Sequence, residues 1–339
     1  MPSMKSFATI AKRASLRAAV SLLCFVATEL SAYPQETTFR AQTTVVVIPA
    51  LVKDSKDHVV PGLTAENFII EDDGVSQPVH LDESAESEPV SLVIVVQRGR
   101  RAAYEFPRIH GLSSMIDPLL TDGRSKAAVI EFDSQVQLLQ NFTGDSELIS
   151  HSLKELRPGD DGAAILDALD YAVRMLQTVP KSRQRVLLLI SETRDHGSQT
   201  AKIDDVVAEI GQSSITIFAL AFSPARSNVL DTMRGNNLGE MHPEPDLLAP
   251  FVLAVQAMRK NMPKAVASMT GGEFESFATG KSFDARMVDF TNHVHTRYLL
   301  SIEPKDPHPG LHQLRVRLKD AGNNTILARS TYWATDRTK

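Results

Sequence analysis

Four groups of side chains in this sequence carry functional chemistry worth weighing. Gln97-Arg98-Gly99-Arg100-Arg101 closes the apolar run 90–96. Asp160 and Asp161 stand just before Gly162. Ser191-Glu192-Thr193 closes a second apolar run and is followed by Asp195 and His196. His293-Val294-His295 falls near a helix–strand junction. Three guanidinium groups at one strand end have two uses. They pair with an internal carboxylate such as Glu192, or they grip an incoming carboxylate through a planar two-toothed fork. A solvated loop is the plain alternative. Ser191, Glu192 and His196 have the types of nucleophile, acid and base, but Ser191 belongs to a buried strand end. Asp160 and Asp161 suit a helix N-terminus better than a metal. Asp195 and His196 read as a turn into the next helix, and Asp167 and Asp170, three apart, as a solvated helix face. His293 and His295 lack a third ligand at a known spacing. No HExxH, phosphate-binding glycine loop, GxSxG or Cys/His pair occurs, so neither catalytic residues nor a cofactor are expected.

The elements that must position these groups follow from periodicity. The runs 90–97, 185–191 and 215–222 are uninterruptedly apolar and rich in β-branched residues, the mark of strands buried on both faces. Between them lie helical patterns near 102–120, at 146–156, and at 163–179, where residues 165, 166, 169, 172, 173 and 176 are apolar. A hairpin is expected around Ser134-Gln135, and helices at 203–211, 248–269 (closed by Gly271-Gly272) and 283–294. Alternating strands and helices imply a doubly wound, mostly parallel sheet. Residues 43–82 and 297–334 read instead as short antiparallel strands. Each flank alone is marginal, so the two are expected to fold together as a β-sandwich-like domain with the α/β unit inserted. Trp333, the single tryptophan, is expected in its core or seam. Segment 223–246 is a long polar loop, either functional or variable padding.

Residues 1–32 have the order of a secretory leader: Lys5, Lys12, Arg13 and Arg17, then the apolar stretch 18–28, then Leu-Ser-Ala. Leu23 argues against lipidation at Cys24, the single cysteine. The domain limits expected are 1–32 for the leader, 33–88 for the first β segment and linker, 89–296 for the α/β domain and 297–339 for the second β segment. Without its leader the chain has 32 basic and 40 acidic side chains. An acidic, cysteine-free, exported chain (periplasmic, in the cell envelope or extracellular) is expected to bind neither nucleic acid nor to span a membrane.

Several stretches together, GLTAENFIIEDDGVSQPV, FDSQVQLLQNFTGD, LLLISETRDHGS, MTGGEFESF and RYLLSIEP, resemble the bacterial VWFA-related exported proteins, whose α/β part is a von Willebrand factor type A domain. The resemblance implies a divalent-cation site built from Asp-x-Ser-x-Ser, a Thr and an Asp on three loops. This sequence departs at each position. Gln97 stands for the first Asp, Gly99 and Arg101 for the serines, Ala163 for the Thr, and Ser191-Glu192-Thr193 for Ser-Asp-Gly. Arginines repel a cation, so the expected reading is a degenerate, metal-free site. Gln97, Arg98, Gly99, Arg101, Ala163 and Glu192 would line a protein-binding face. The alternatives are a rigid scaffold with no ligand, and an unrecognised hydrolase.

Overall fold

The computed structural model describes residues 45–82, 88–222, 249–305 and 307–335. The expected leader, most of the linker and loop 223–246 lie outside them. Among the described residues no helix is long and apolar enough to cross a membrane.

Among the described residues, fourteen strands form three sheets. They are β1 (Val46–Lys53), β2 (Phe68–Asp72), β3 (Val75–Gln77), β4 (His80–Asp82), β5 (Val90–Gln97), β6 (Lys126–Phe132), β7 (Val136–Thr143), β8 (Gln184–Ser191), β9 (Ile215–Phe222), β10 (Phe274–Phe277), β11 (Tyr298–Ile302), β12 (Gly310–Leu318), β13 (Thr325–Ala328) and β14 (Thr331–Ala334). The central sheet runs β10-β9-β8-β5-β6-β7, parallel throughout except for edge strand β7. Strand β5 alternates its apolar side chains between two cores. Val93 and Val95 pack with helices Ile165–Gln177, Ile203–Gln212, Ala249–Lys260 and Met262–Thr270. Leu92, Ile94 and Val96 pack with helices Leu112–Leu120, Ser146–Lys154 and Gly280–His295. Every apolar residue singled out in the 165–176 pattern is buried, which is why that stretch is a helix against a sheet. The order reverses between β5 and β8, so their carboxyl ends flank the topological switch point, where open α/β sheets hold their sites.

The two flanks pair with each other. Strand β1 lies between β11 and β13, with β4 beyond β11; β12 lies between β14 and β2, with β3 beyond β2. Ile48, Val52, Phe68, Ile70, Leu300, Leu314 and Tyr332 close one core between these sheets. Leu314 is buried while Arg315 and Arg317 are exposed, the alternation expected of a half-solvated strand.

Two local expectations change. The helix near 102–120 is broken into a tight turn (Arg100–Glu105), one helical turn (Phe106–Ile109) and helix Leu112–Leu120. The helix at 248–269 is two helices, because Asn261 is extended and its side chain caps the second through the Lys264 amide. That second helix stops at Gly271, left-handed at φ 78°, where a Cβ would lie 2.6 Å from the Arg329 nitrogen. The stretch ILARSTYWA, within the flank 297–334 that reads as short strands, is two strands in different sheets. The buried Arg329 divides them, donating to the carbonyls of Thr331 (2.7 Å), Val47 (3.2 Å) and Gly211 (2.5 Å). Trp333 packs against the α/β core and edge-on to Phe251, ring centroids 6.0 Å apart. It is thus a seam residue between sandwich and α/β unit.

Candidate functional site

Strand β5 ends at Gln97, whose side chain is completely buried. Its amide oxygen accepts from the Glu192 amide at 2.9 Å, and its Nε2 approaches the Glu192 carboxylate and the Gly99 carbonyl at 3.4 Å each. This pair ties the end of β5 to the end of β8 across the switch point. Ser191 is fully buried and donates its hydroxyl to the Glu192 carbonyl at 2.8 Å. The Ser191 hydroxyl thus turns to the main chain of the loop rather than to solvent.

Arg98 turns to β6. Its guanidinium meets Asp133 Oδ2 at 2.8 Å and Glu131 Oε1 at 3.4 Å, and both carboxylates are about as buried as the core. Burial pushes the Glu131 carboxyl up, Arg98 pulls it down, and Asp133 pushes it up again. Asp133 also accepts from the amides of Gln135 and Asp160. Sequence reading missed this acid pair. The available signal was two acids flanking Phe132 at the end of an otherwise apolar strand.

Gly99 is packed under the loop 159–163. A Cβ there would overlap the Gly162 carbonyl and lie 2.7 Å from that of Asp160, so no side chain fits the position. Arg101 lies in the tight turn that follows; the side chains of Arg100 and Arg101 lie outside the described part. Tyr104, in the same turn, is 79% exposed.

Ala163 is buried, and its methyl sits in the α/β core. Its backbone bridges that of His196 in both directions, at 2.7 and 2.8 Å. His196 thereby holds a loop through its main chain, while its side chain is exposed. Asp160 accepts from the amides of Ser134 (3.0 Å) and Gly162 (2.7 Å) and from the Ser134 hydroxyl, contacts that hold its carboxyl below the usual range. Asp195 accepts from Leu166 N at 2.9 Å and so caps the 165–177 helix from outside. Asp167 is not simply solvated: it gathers the amides of Gln199, Thr200 and Ala201. Asp170 pairs with Arg174 on the exposed face. His293 is buried against Glu273 Oε2 at 2.8 Å, a structural contact; burial lowers the pKa of His295.

A hard divalent cation needs several oxygen donors in octahedral array. At the positions that the resemblance assigns to the cation, Gln97 offers an amide oxygen already bonded to Glu192 N, Ala163 and Gly99 offer no side-chain oxygen, and Glu192 offers a carboxylate that Gln97 Nε2 approaches at 3.4 Å. The adjacent carboxylates of Glu131 and Asp133 already carry a guanidinium.

Residues 101–197 match the family model of the von Willebrand factor type A domain. No curated protein matches the chain. Similar solved structures include a conserved hypothetical protein, BatB, from Bacteroides thetaiotaomicron, with 14% identity over 60% of this chain and 98% of that one, TM-score 0.41. The vWF domain of the type V pili tip protein Mfa5 from Porphyromonas gingivalis has 11% identity over 61% and 95%, TM-score 0.42. A von Willebrand factor type A protein from Catenulispora acidiphila has 10% identity over 88% and 76%, TM-score 0.43. The described chain is thus a mixed α/β protein with a mostly parallel central sheet and additional antiparallel sheets, similar over residues 101–197 to the von Willebrand factor type A domain.

Proposed function

We propose that this chain is an exported, non-enzymatic protein-interaction module that binds a protein partner through the carboxyl-end face of its central sheet, without a metal ion. One observation carries the reading: Arg98 is locked onto Glu131 and Asp133 at the strand end where the family places a cation. Loops that a metal would otherwise organise are organised by this pair, by the Gln97–Glu192 bonds and by Asp160. The exposed Tyr104 and the loops around Asp160 and His196 then remain for a partner. The leader-like order of residues 1–32 supports export. The rigid-scaffold reading also has an observation behind it, since the Arg98 guanidinium is taken up internally.

A photo-crosslinking amino acid at position 104 tests the face in the native envelope. Position 181, an exposed turn at the amino end of β8, is the control. The expected result is a crosslinked partner from 104 alone, unchanged by chelator. Equal labelling at 181, or loss with chelator, would overturn the reading.

Metal independence has its own measurement. Calorimetric titration with Mg²⁺ is expected to show no saturable binding in the micromolar range. Micromolar binding that disappears in Glu192→Gln would show that the strand-end site still takes a cation.

A further inference from the structure

A second polar cluster lies in the sandwich, in different sheets from the strand-end site. Asp72 ends β2 and Asp73 follows it in the left-handed region, φ 46°. His312 lies in β12, Tyr332 faces it across the pair β12–β14, and His308 belongs to the approach to β12. The His312 side chain is only 3% exposed. Its Nε2 lies 2.8 Å from the His308 carbonyl oxygen. A carbonyl only accepts, so Nε2 carries the proton and Nδ1 is the atom turned to the carboxylates. That Nδ1 stands 2.7 Å from Asp73 Oδ2 and 3.2 Å from Asp72 Oδ1. Asp73 Oδ1 is taken by the Gln313 amide, which leaves Oδ2 facing both imidazoles, with His308 Nε2 at 3.3 Å. Tyr332 donates to the other Asp72 oxygen at 2.8 Å.

We propose that Asp73, His308 and His312 form a binding site for a zinc-class divalent cation, with Asp72 beside His312. Two imidazoles and one carboxylate are a donor set for zinc rather than for magnesium or calcium, and leave one tetrahedral position open. The candidate atoms of Asp73, His308 and His312 all lie within 4.8 Å of one another. Zinc bonds of about 2.0–2.1 Å in a tetrahedron place ligand atoms about 3.3 Å apart. Asp73 Oδ2 lies 3.3 Å from His308 Nε2, as a tetrahedron requires, and its 2.7 Å separation from His312 Nδ1 has to open by about half an ångström. One larger adjustment is required. The His308 and His312 rings stack at 4.0 Å with 21° between their planes, and a metal lies near the plane of each ring it binds. His308 therefore has to turn, and its side chain, 30% exposed on a loop, has room to do so. The outer contacts are those that tune a metal site: a backbone carbonyl on the far nitrogen of His312, and a tyrosine hydroxyl on the free oxygen of Asp72. The rival occupant of Nδ1 is a proton, which would make His312 an imidazolium between two carboxylates.

The test uses the untagged full chain and Zn²⁺ alone, titrated by calorimetry, with Co²⁺ absorption as a reporter of tetrahedral N/O ligation. The expected result is one equivalent bound at micromolar affinity or tighter. His308→Ala, on the exposed loop, should weaken it tenfold or more with unchanged circular dichroism, and Asp73→Asn should do likewise. Absence of saturable Zn²⁺ binding would overturn the proposal in favour of the proton. Equal affinity in wild type, His308→Ala and Asp73→Asn would overturn it in favour of scattered surface histidines. Neither outcome bears on the crosslinking at position 104.

Discussion

Replacing Arg297 by methionine is expected to lower stability by about 3–5 kcal/mol, because it strips the main counter-ion from a buried carboxylate. Arg297 is 4% exposed and lies 2.9 Å from Glu273 Oε2; it also donates to the Gly271 carbonyl and sits 4.8 Å over the Phe218 ring. Burial pulls its pKa down to about 10 and Glu273 opposes that, so it stays charged at neutral pH. Glu273 takes Lys53 from β1 at 3.0 Å and His293 at 2.8 Å. One carboxylate thus ties the first sandwich strand, the last helix and the start of β11 to the central sheet. Burial alone would push the Glu273 carboxyl up. Hydrogen bonding to His293 and the charges of Arg297, His293 and Lys53 overcome that and hold it at about 2, against 4.5 for the free group. Since the folded value is the lower one, the stabilisation is complete above pH 4.5 and is lost as pH falls from there towards 2. The linked amount is about 3 kcal/mol. Urea melts of wild type and Glu273→Gln across pH 2–7 read it directly. The wild-type advantage should shrink steadily below pH 4.5, and a difference that does not vary with pH would show that the network is not electrostatically coupled.

The same long-range pairings mark the limit of what was legible in the chain. Local signals were sufficient for the central elements: uninterrupted β-branched runs gave β5, β8 and β9, and the 3.6-residue spacing placed the 165–177 helix to within two residues. The marginal size of each flank was enough to require that they pair, as β1 with β11 and β2 with β12 do. What periodicity could not carry was a polar residue doing a long-range job. The guanidinium of Arg329 in ILARSTYWA collects carbonyls from Val47 and Gly211, distant in sequence, and so splits the stretch in two. Asp72 and His312 are 240 residues apart, and no spacing rule for metal ligands spans that distance. Gly271 was legible as a cap, but not as the point where Arg329 packs. At the strand-end site, the substituted positions were visible as Gln97, Gly99, Ala163 and Glu192. The partners of Arg98 were not, because Glu131 and Asp133 sit on a neighbouring strand whose register only the folded sheet fixes.

Arg98→Met is the second large effect, also about 3–5 kcal/mol. Methionine keeps the length and the packing of the stem but leaves Glu131 and Asp133 buried side by side with no cation between them. The side chain of Arg98 is 24% exposed, while those of its two partners are 6% and 5% exposed, so solvent cannot replace the guanidinium on their side. The penalty should therefore be reversible by removing the acids. In the background Glu131→Gln/Asp133→Asn, Arg98→Met should be nearly neutral, so the cycle should return nearly the whole single-variant loss, about 3–5 kcal/mol, as coupling. Urea denaturation of the four proteins supplies the numbers. The result also separates the two uses of an arginine at this strand end. A guanidinium held for a partner's carboxylate would be nearly silent in the isolated protein and would weaken binding when removed. One that replaces a cation's organising role should destabilise the fold, and it should do so most strongly in the loop 159–163, whose amide at Gly159 donates to the Arg98 carbonyl at 3.0 Å. A loss below about 1 kcal/mol, the range of surface pairs, with weakened crosslinking from position 104, would return Arg98 to the binding face.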